Sequence, residues 1–171
     1  LVSTANFHTP ALALALENLS LALSMVANAA TQRIQRMMNP VLTGLPKYLS
    51  PVGGASAGMV PLQKTAAALN GEVRALAMPV AFDPAPVSDT VEDLAPMTPQ
   101  VAQKLTRQII PFRLLIAAEA RTALQAIHLR NPEQLGTAIT DIKSTMDPTI
   151  TPITDDRPLG SDIEKTASLL E

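Results

Sequence analysis

Few residues in this chain are equipped for chemistry, and most of them gather around one stretch. Residues 79–97 read PVAFDPAPVSDTVEDLAPM, proline-rich and extended, and the stretch closes on an acidic pair, Glu92 and Asp93. A long ordered loop after a rigid helix is a common means of holding a few polar side chains over a site. A carboxylate held that way can take up a proton or orient a polar group. Left unheld, it is a solvated loop charge or a cap for a helix starting at 98. A second cluster, Asn6-Phe7-His8, stands just ahead of a long apolar run. The rest of the inventory excludes much. There is no cysteine, which removes disulfides, thiolate zinc sites, iron–sulfur clusters and a thiol nucleophile. His8 and His128 lie far apart in sequence, so a metal site would need mostly carboxylates, and none is expected. No nucleophile elbow surrounds a serine, and Gly53-Gly54 lacks the strand-to-helix context of a phosphate loop.

The elements that must position these residues are helical. The chain has 171 residues, 47% apolar but only 2% aromatic, enough for a single region with a core of Leu, Ala, Ile, Val and Met. A net charge of −2 with 13 scattered basic residues gives no phosphate-tracking stripe, so neither nucleic acid nor an anionic membrane is expected as a partner. No uninterrupted apolar run reaches the roughly 18 residues of a membrane span. The lack of cysteine accords with a cytoplasmic protein. The chain starts at Leu1 without an initiator methionine or a basic leader, which suggests a processed chain or a piece of something longer.

Pro10 opens a helix predicted over 10–38, with a seam at Leu12, Leu16, Leu19, Leu23, Val26, Ala30 and Met37 spaced by four and three. Its other apolar residues, Leu14, Leu21 and Met25, lie off that seam, so it should be buried on more than one side, as in a bundle shared between subunits. Residues 40–58 read as loop. A second helix over about 60–77 carries Leu62, Ala66, Leu69, Val73 and Leu76. Thr98-Pro99 starts a third, with a stripe at Val101, Leu105, Ile109, Phe112, Ile116, Ala120, Leu124 and Ile127 and a break or kink at 107–111 before Pro111. Asn131-Pro132 starts a fourth, with Leu135, Ile139, Ile142 and Met146 on its core face. Residues 148–160 form an extended arm, and Ser161 with Glu164 is a capping box for a short last helix. The fold class is all-α: a long-helix bundle over 1–171 that carries a site loop at 79–97.

These segments resemble the C-terminal portion of the histidine/phenylalanine (aromatic amino acid) ammonia-lyase family. The residues that carry the likeness are Asn6-Phe7-His8 before a helix with Glu17, Asn18 and Leu19; Leu45-Pro46; Gly58, Gln63, Thr65, Ala66, Ala67, Ala68, Leu69 and Glu72; and Pro79, Asp83, Pro86, Ser88, Glu92 and Asp93. The likeness runs from residue 1 to about 130. It implies a C-terminal fragment or subunit of an enzyme that eliminates ammonia from an α-amino acid. Glu92 would be the catalytic residue, facing the substrate, with Phe7, His8 and Met59 binding it. The family's electrophile, 4-methylideneimidazole-5-one, forms from an Ala-Ser-Gly tripeptide in the N-terminal part. This chain has only Ala55-Ser56-Ala57, so the group would come from an N-terminal polypeptide. The likeness also implies a tetramer-type homo-oligomer.

Departures from the pattern leave a second reading open. Thr90 and Val91 stand where the family has Asn-Gln, and Leu94 stands where it has His. The chain would then be a divergent helical subunit with a structural, non-lyase role. For single residues the plainer alternatives are packing for Phe7, Gln63 and Glu72, a structural hydrogen bond for His8, a helix-end role for His128, and solvent for Asp155 and Asp156.

Overall fold

Proline is at home at the first helical position, where its missing N–H would have had no partner. From Pro10, alanine and leucine carry helix α1 (Pro10–Met37) for 28 residues. The computed structural model describes residues 8–81, 86, 88, 89 and 94–169. After α1 come the single turn α2 (Pro40–Thr43), a 3-10 turn at Lys47–Leu49, and then α3 (Val60–Ala75), α4 (Thr98–Arg130), α5 (Thr137–Met146) and α6 (Gly160–Leu169). Among the described residues there is no strand, and the all-α long-helix expectation is met.

Side-chain pairs give the helix directions. Thr9 meets Thr98, Ser20 meets Gln108 and Arg33 meets Glu119, so α1 and α4 run parallel. Gln35 meets Gln63 and Ser20 meets Leu76, so α3 runs against α1. Helix α3 therefore delivers the chain to the N-terminal pole of α1, and the 79–97 segment feeds α4 from that same pole.

The buried faces differ from those expected. On α1 the buried residues are Ala13, Glu17, Ser20, Ala27, Ala30, Thr31 and Ile34; of the predicted seam only Ala30 is among them, and the rest of the register is one residue off. Leu12, Leu19 and Val26 face outward, and Met25 is 76% exposed. Small residues win the inner face because they let the helix axes approach closely. By length and composition α1 is also apolar enough to cross a membrane, although Glu17 interrupts the run. On α4 the stripe again shifts: Val101, Leu105, Gln108, Pro111, Leu115, Ala118, Thr122 and Gln125 are buried, while Ile109 is exposed. Of the expected break or kink, the break is absent: α4 is one helix of 33 residues with Pro111 inside it. An interior proline costs about 3 kcal/mol. Gln108 and Leu115, fully buried one turn to either side, hold the helix in the core through that defect. The fourth helix starts at Thr137, not at 131–132, because Asn131 closes α4 in the left-handed region (φ 44). Of its expected core face only Met146 is buried; Ile139 and Ile142 are each 45% exposed.

The arm at 148–160 is stapled down rather than free. Ile150, Ile153 and Leu159 are buried. The Gln125 amide clips the backbone of Ile153 from both sides, donating at 3.1 Å and accepting at 2.9 Å. Arg121, with no exposed surface, donates to Asp162 at 2.9 Å and to the Thr151 carbonyl at 3.1 Å, and Arg157 donates to Asp162 as well. Burial pushes the Asp162 carboxyl up, but hydrogen bonds from Arg157 and Arg121 hold it below the ordinary range. Asp156 is exposed, as expected, and is also held in a cradle. It accepts from the Ser56 hydroxyl at 2.6 Å, the Ala57 N–H at 2.8 Å and the Gly58 N–H at 3.0 Å. Only glycine serves at 58: φ is +53°, and a Cβ there would lie 2.7 Å from the Tyr48 carbonyl oxygen.

Two outcomes test this packing. Gln108 donates to the carbonyls of Ser20 and Val73, both at 3.0 Å, and accepts from the Ser20 hydroxyl at 2.6 Å. Gln108→Leu should therefore lower unfolding stability by about 1–3 kcal/mol through the loss of these bonds, and Ser20→Ala should cost less in that background than in the parent; additive losses in denaturant titrations would show that the two groups are uncoupled. The second outcome is a pH dependence. Hydrogen bonds from Ser56, then Ala57 and Gly58, hold the Asp156 carboxyl below its ordinary 3.8. A depressed pKa adds stability above the unfolded value and loses it as pH falls through the folded one. The gap in denaturation midpoint between the parent and Asp156→Asn should be full at neutral pH and close below about pH 4; a gap of constant size would rule out the cradle as its source.

Candidate functional site

The two ends of the 79–97 loop are fastened to one pole of the bundle. At the far end, the Thr98 hydroxyl pairs with that of Thr9 at 2.8 Å, the residue just before α1. At the near end, Glu17 accepts the Val80 N–H at 2.7 Å and a hydrogen bond from Lys104. Lys104 in turn donates to the Met78 carbonyl at 2.8 Å. Glu17 is only 4% exposed. Eight residues separate Thr9 from Glu17, about 12 Å along the helix, so the two loop ends leave the bundle close together and beside residue 8.

The backbone at this pole is conformationally costly. Met97, capping α4, sits in the left-handed region with φ 52 and ψ 27. Ser88 and Asp89 within the loop also have positive φ, 53 and 55. Non-glycine residues in that region cost about 1 kcal/mol or more each, and such positions collect at functional sites. An open cleft of about 550 Å³ lies here, lined by Thr9, Leu12, Ala95, Pro96, Met97, Thr98, Pro99, Gln100 and Ala102.

Of the residues singled out in sequence, His8 lies at this pole and is exposed. Glu92 and Phe7 lie outside the described residues, as do Asp93, Thr90 and Val91. Leu94 is described and is 47% exposed. Met59 does not join the group. It is fully buried in the main core, beside Leu49 and Leu62, at the start of α3. The 16 residues of α3 put about 24 Å between it and the loop, so within one chain it packs the core and does not line this cleft. His128 pairs with Asp147 at 3.0 Å and ties α4 to the end of α5. Another concavity, about 230 Å³ between α4 and α5, is apolar. Its two charged rim residues, Glu119 and Lys143, are already paired with Arg33 and Asp147, so it offers no chemistry. Among the described residues no three His, Asp or Glu side chains converge as a metal site would require.

Sequence reasoning missed Glu17, Lys104, Thr9 and Thr98 as residues that shape the site. The signal for Glu17 was present. It is the sole carboxylate in α1, and its spacing to Ala13 and Ser20 puts it on their inward face.

Known proteins place this geometry in a family. The family model for aromatic amino acid lyases matches residues 1–147. The histidine ammonia-lyase of Symbiobacterium thermophilum is 36% identical over 99% of this chain and 33% of its own length. That of Bacillus subtilis is 35% identical over 99% of the chain and 34% of its own. Among solved structures, histidine ammonia-lyase from Trypanosoma cruzi superposes with a TM-score of 0.91 at 31% identity, over 99% of this chain and 33% of that one. Ergothionase from Treponema denticola, an ergothioneine-degrading enzyme, gives 0.92 at 29%, over 98% and 34%. The chain thus spans about a third of the length of the curated relatives it matches. With an all-helical architecture shared across nearly its whole length and a family match over residues 1–147, the chain belongs to the aromatic amino acid lyase family.

Proposed function

We propose that this chain is the loop-bearing part of an ammonia-lyase that eliminates ammonia from an α-amino acid, with L-histidine as the first substrate to try. The observation that carries this reading is the double fastening of the 79–97 loop beside residue 8. His8 and both described ends of the 79–97 loop lie at one pole of the bundle. In the elimination a proton leaves the β-carbon, the Cα–N bond breaks and a Cα=Cβ double bond forms. Glu92 is the group in this chain suited to accept a proton or hold the amine in place, with Phe7 and His8 flanking the substrate.

The family's electrophile does not fit the residues present here. The near-miss tripeptide Ala55-Ser56-Ala57 has its serine hydroxyl engaged by Asp156 and its third amide bonded to the same carboxylate. The 4-methylideneimidazole-5-one group would therefore be supplied by an N-terminal polypeptide, and this cytoplasmic assembly would include that partner. The outward face of α1, with Leu12, Leu19 and Val26 repeating every seventh residue, is suited to pack against further copies in a tetramer-type bundle. The alternative of a purely structural subunit draws on Thr90, Val91 and Leu94, but the intact fastening of the loop favours the catalytic reading.

Turnover is tested on this chain assembled with its N-terminal polypeptide, by following the ultraviolet absorbance of an α,β-unsaturated product from L-histidine. Glu92→Gln should lower kcat by about 10²–10⁴-fold; unchanged kcat would remove Glu92 from the chemistry. On the same assembly, Leu19→Glu with Val26→Glu should reduce the mass measured by light scattering, whereas an unaltered mass would place the oligomer contact elsewhere.

A further inference from the structure

The Glu17–Lys104 pair contributes something the helix crossing does not need. One turn along, Ser20 and Gln108 already join α1 to α4 and reach the Val73 carbonyl of α3. What Glu17 and Lys104 add is a grip on two backbone groups that flank Pro79. Proline has no N–H of its own. The acceptor-only carboxylate takes the Val80 N–H at 2.7 Å, and the donor-only ammonium takes the Met78 carbonyl at 2.8 Å. Both side chains are nearly closed to solvent, 11% exposed for Lys104 and 5% for Glu17. Each would be a stranded buried charge without the other, so neither can swing away from the loop root.

We infer that Glu17 and Lys104 are positioning residues for the lyase site: they fix where and at what angle the 79–97 loop leaves α3. The catalytic half of this inference rests on the lyase reading; the clamp rests on the contacts alone. Mobile loops at binding sites ordinarily sit at the low end of local stability. A root held by opposite charges in a buried setting counters that tendency at Met78 and Val80 before substrate arrives.

The test uses the assembled protein with two readouts: exchange of the Val80 amide with deuterated solvent, and L-histidine turnover. Either single change strands a charge, so the working variant is Glu17→Leu/Lys104→Met, which removes both charges and keeps apolar volume. Exchange at Val80 should rise about tenfold or more while the amide of Leu115 in α4 is unaffected. Turnover should fall about tenfold in kcat with KM altered far less. Glu17→Asp, shorter by one methylene but still charged, should lie between parent and double variant in both. Unchanged Val80 exchange in the double variant would overturn the clamp. Faster exchange at Leu115 in step with Val80 would show a general structural role and overturn it too. Faster Val80 exchange with kcat intact would overturn the positioning role. If the parent turns over neither L-histidine nor any other α-amino acid, the lyase reading and its catalytic half fall together, and Val80 exchange still decides the clamp.

Discussion

The polar ladder buried between α1 and α4 sets the terms for everything else in this molecule. Its rungs are Glu17 with Lys104 and Ser20 with Gln108, placed on an α1 face whose other buried residues are Ala13, Ala27, Ala30, Thr31 and Ile34. The small residues on the α1 face offer few deep knobs to lock it against α4, so hydrophobic burial alone fixes the register of the two helices weakly. The polar rungs remove that freedom. A slip of one residue would leave a carboxylate, an ammonium, a hydroxyl and an amide buried without partners, each costing on the order of 1–3 kcal/mol or more. Buried ion pairs are weak evidence of net stability, because desolvation offsets their attraction, but they are well suited to fixing register. Here register is what matters, since it decides which pole of the bundle receives the loop.

The other end of the molecule follows the same logic with different groups. The chain has 2% aromatic residues, so it lacks the large flat side chains that usually weld a tail to a core. Polar clips take their place. Gln125 grips Ile153, Arg121 and Arg157 share Asp162, and Asp156 sits in the Ser56–Gly58 cradle. The cradle joins the arm to the turn that opens α3, and α3 ends at the loop root. The arm therefore supports the helix on which the site loop is mounted, although it lies far from the loop.

How much of this could be read from sequence depended on which force ruled each element. The helices themselves were legible, because runs without glycine or proline and apolar spacings of three and four leave little else. Their faces were not. A leucine seam is the loudest signal in α1, yet Leu12, Leu19 and Val26 point outward while Ala13, Glu17 and Ser20 point inward. Ranking by hydrophobicity fails where close approach favours small side chains. In α4 the buried Gln108, Arg121 and Gln125 lie outside the stripe that apolar spacing picked out, and Pro111 was read as a break or kink because its local cost is larger than its sequence neighbours can offset. Tertiary burial offset it instead. The family was legible from ordered short matches such as Gln63, Thr65, Ala66 and Glu72. The fastening of the loop was not, since a lone helical carboxylate usually faces water and only its partners distinguish Glu17.

The loop's length explains why it must be fastened twice. Nineteen residues, 79–97, could reach about 60 Å if extended, yet its two attachment points lie about 12 Å apart along α1 by helical rise. A chain with that much slack explores a large volume when one end is loose, and closure entropy grows only slowly with length, so adding residues would not restrain it. Restraint has to come from the ends. Thr9 with Thr98 pins one, and Glu17 with Lys104 pins the other, while prolines at 79, 84, 86 and 96 narrow the backbone choices between them. The left-handed Met97 turns the chain sharply into α4 where the second pin acts. Ends fastened in this way set where the segment leaves and re-enters the bundle during folding rather than on binding, so that part of the ordering cost is met before any ligand arrives.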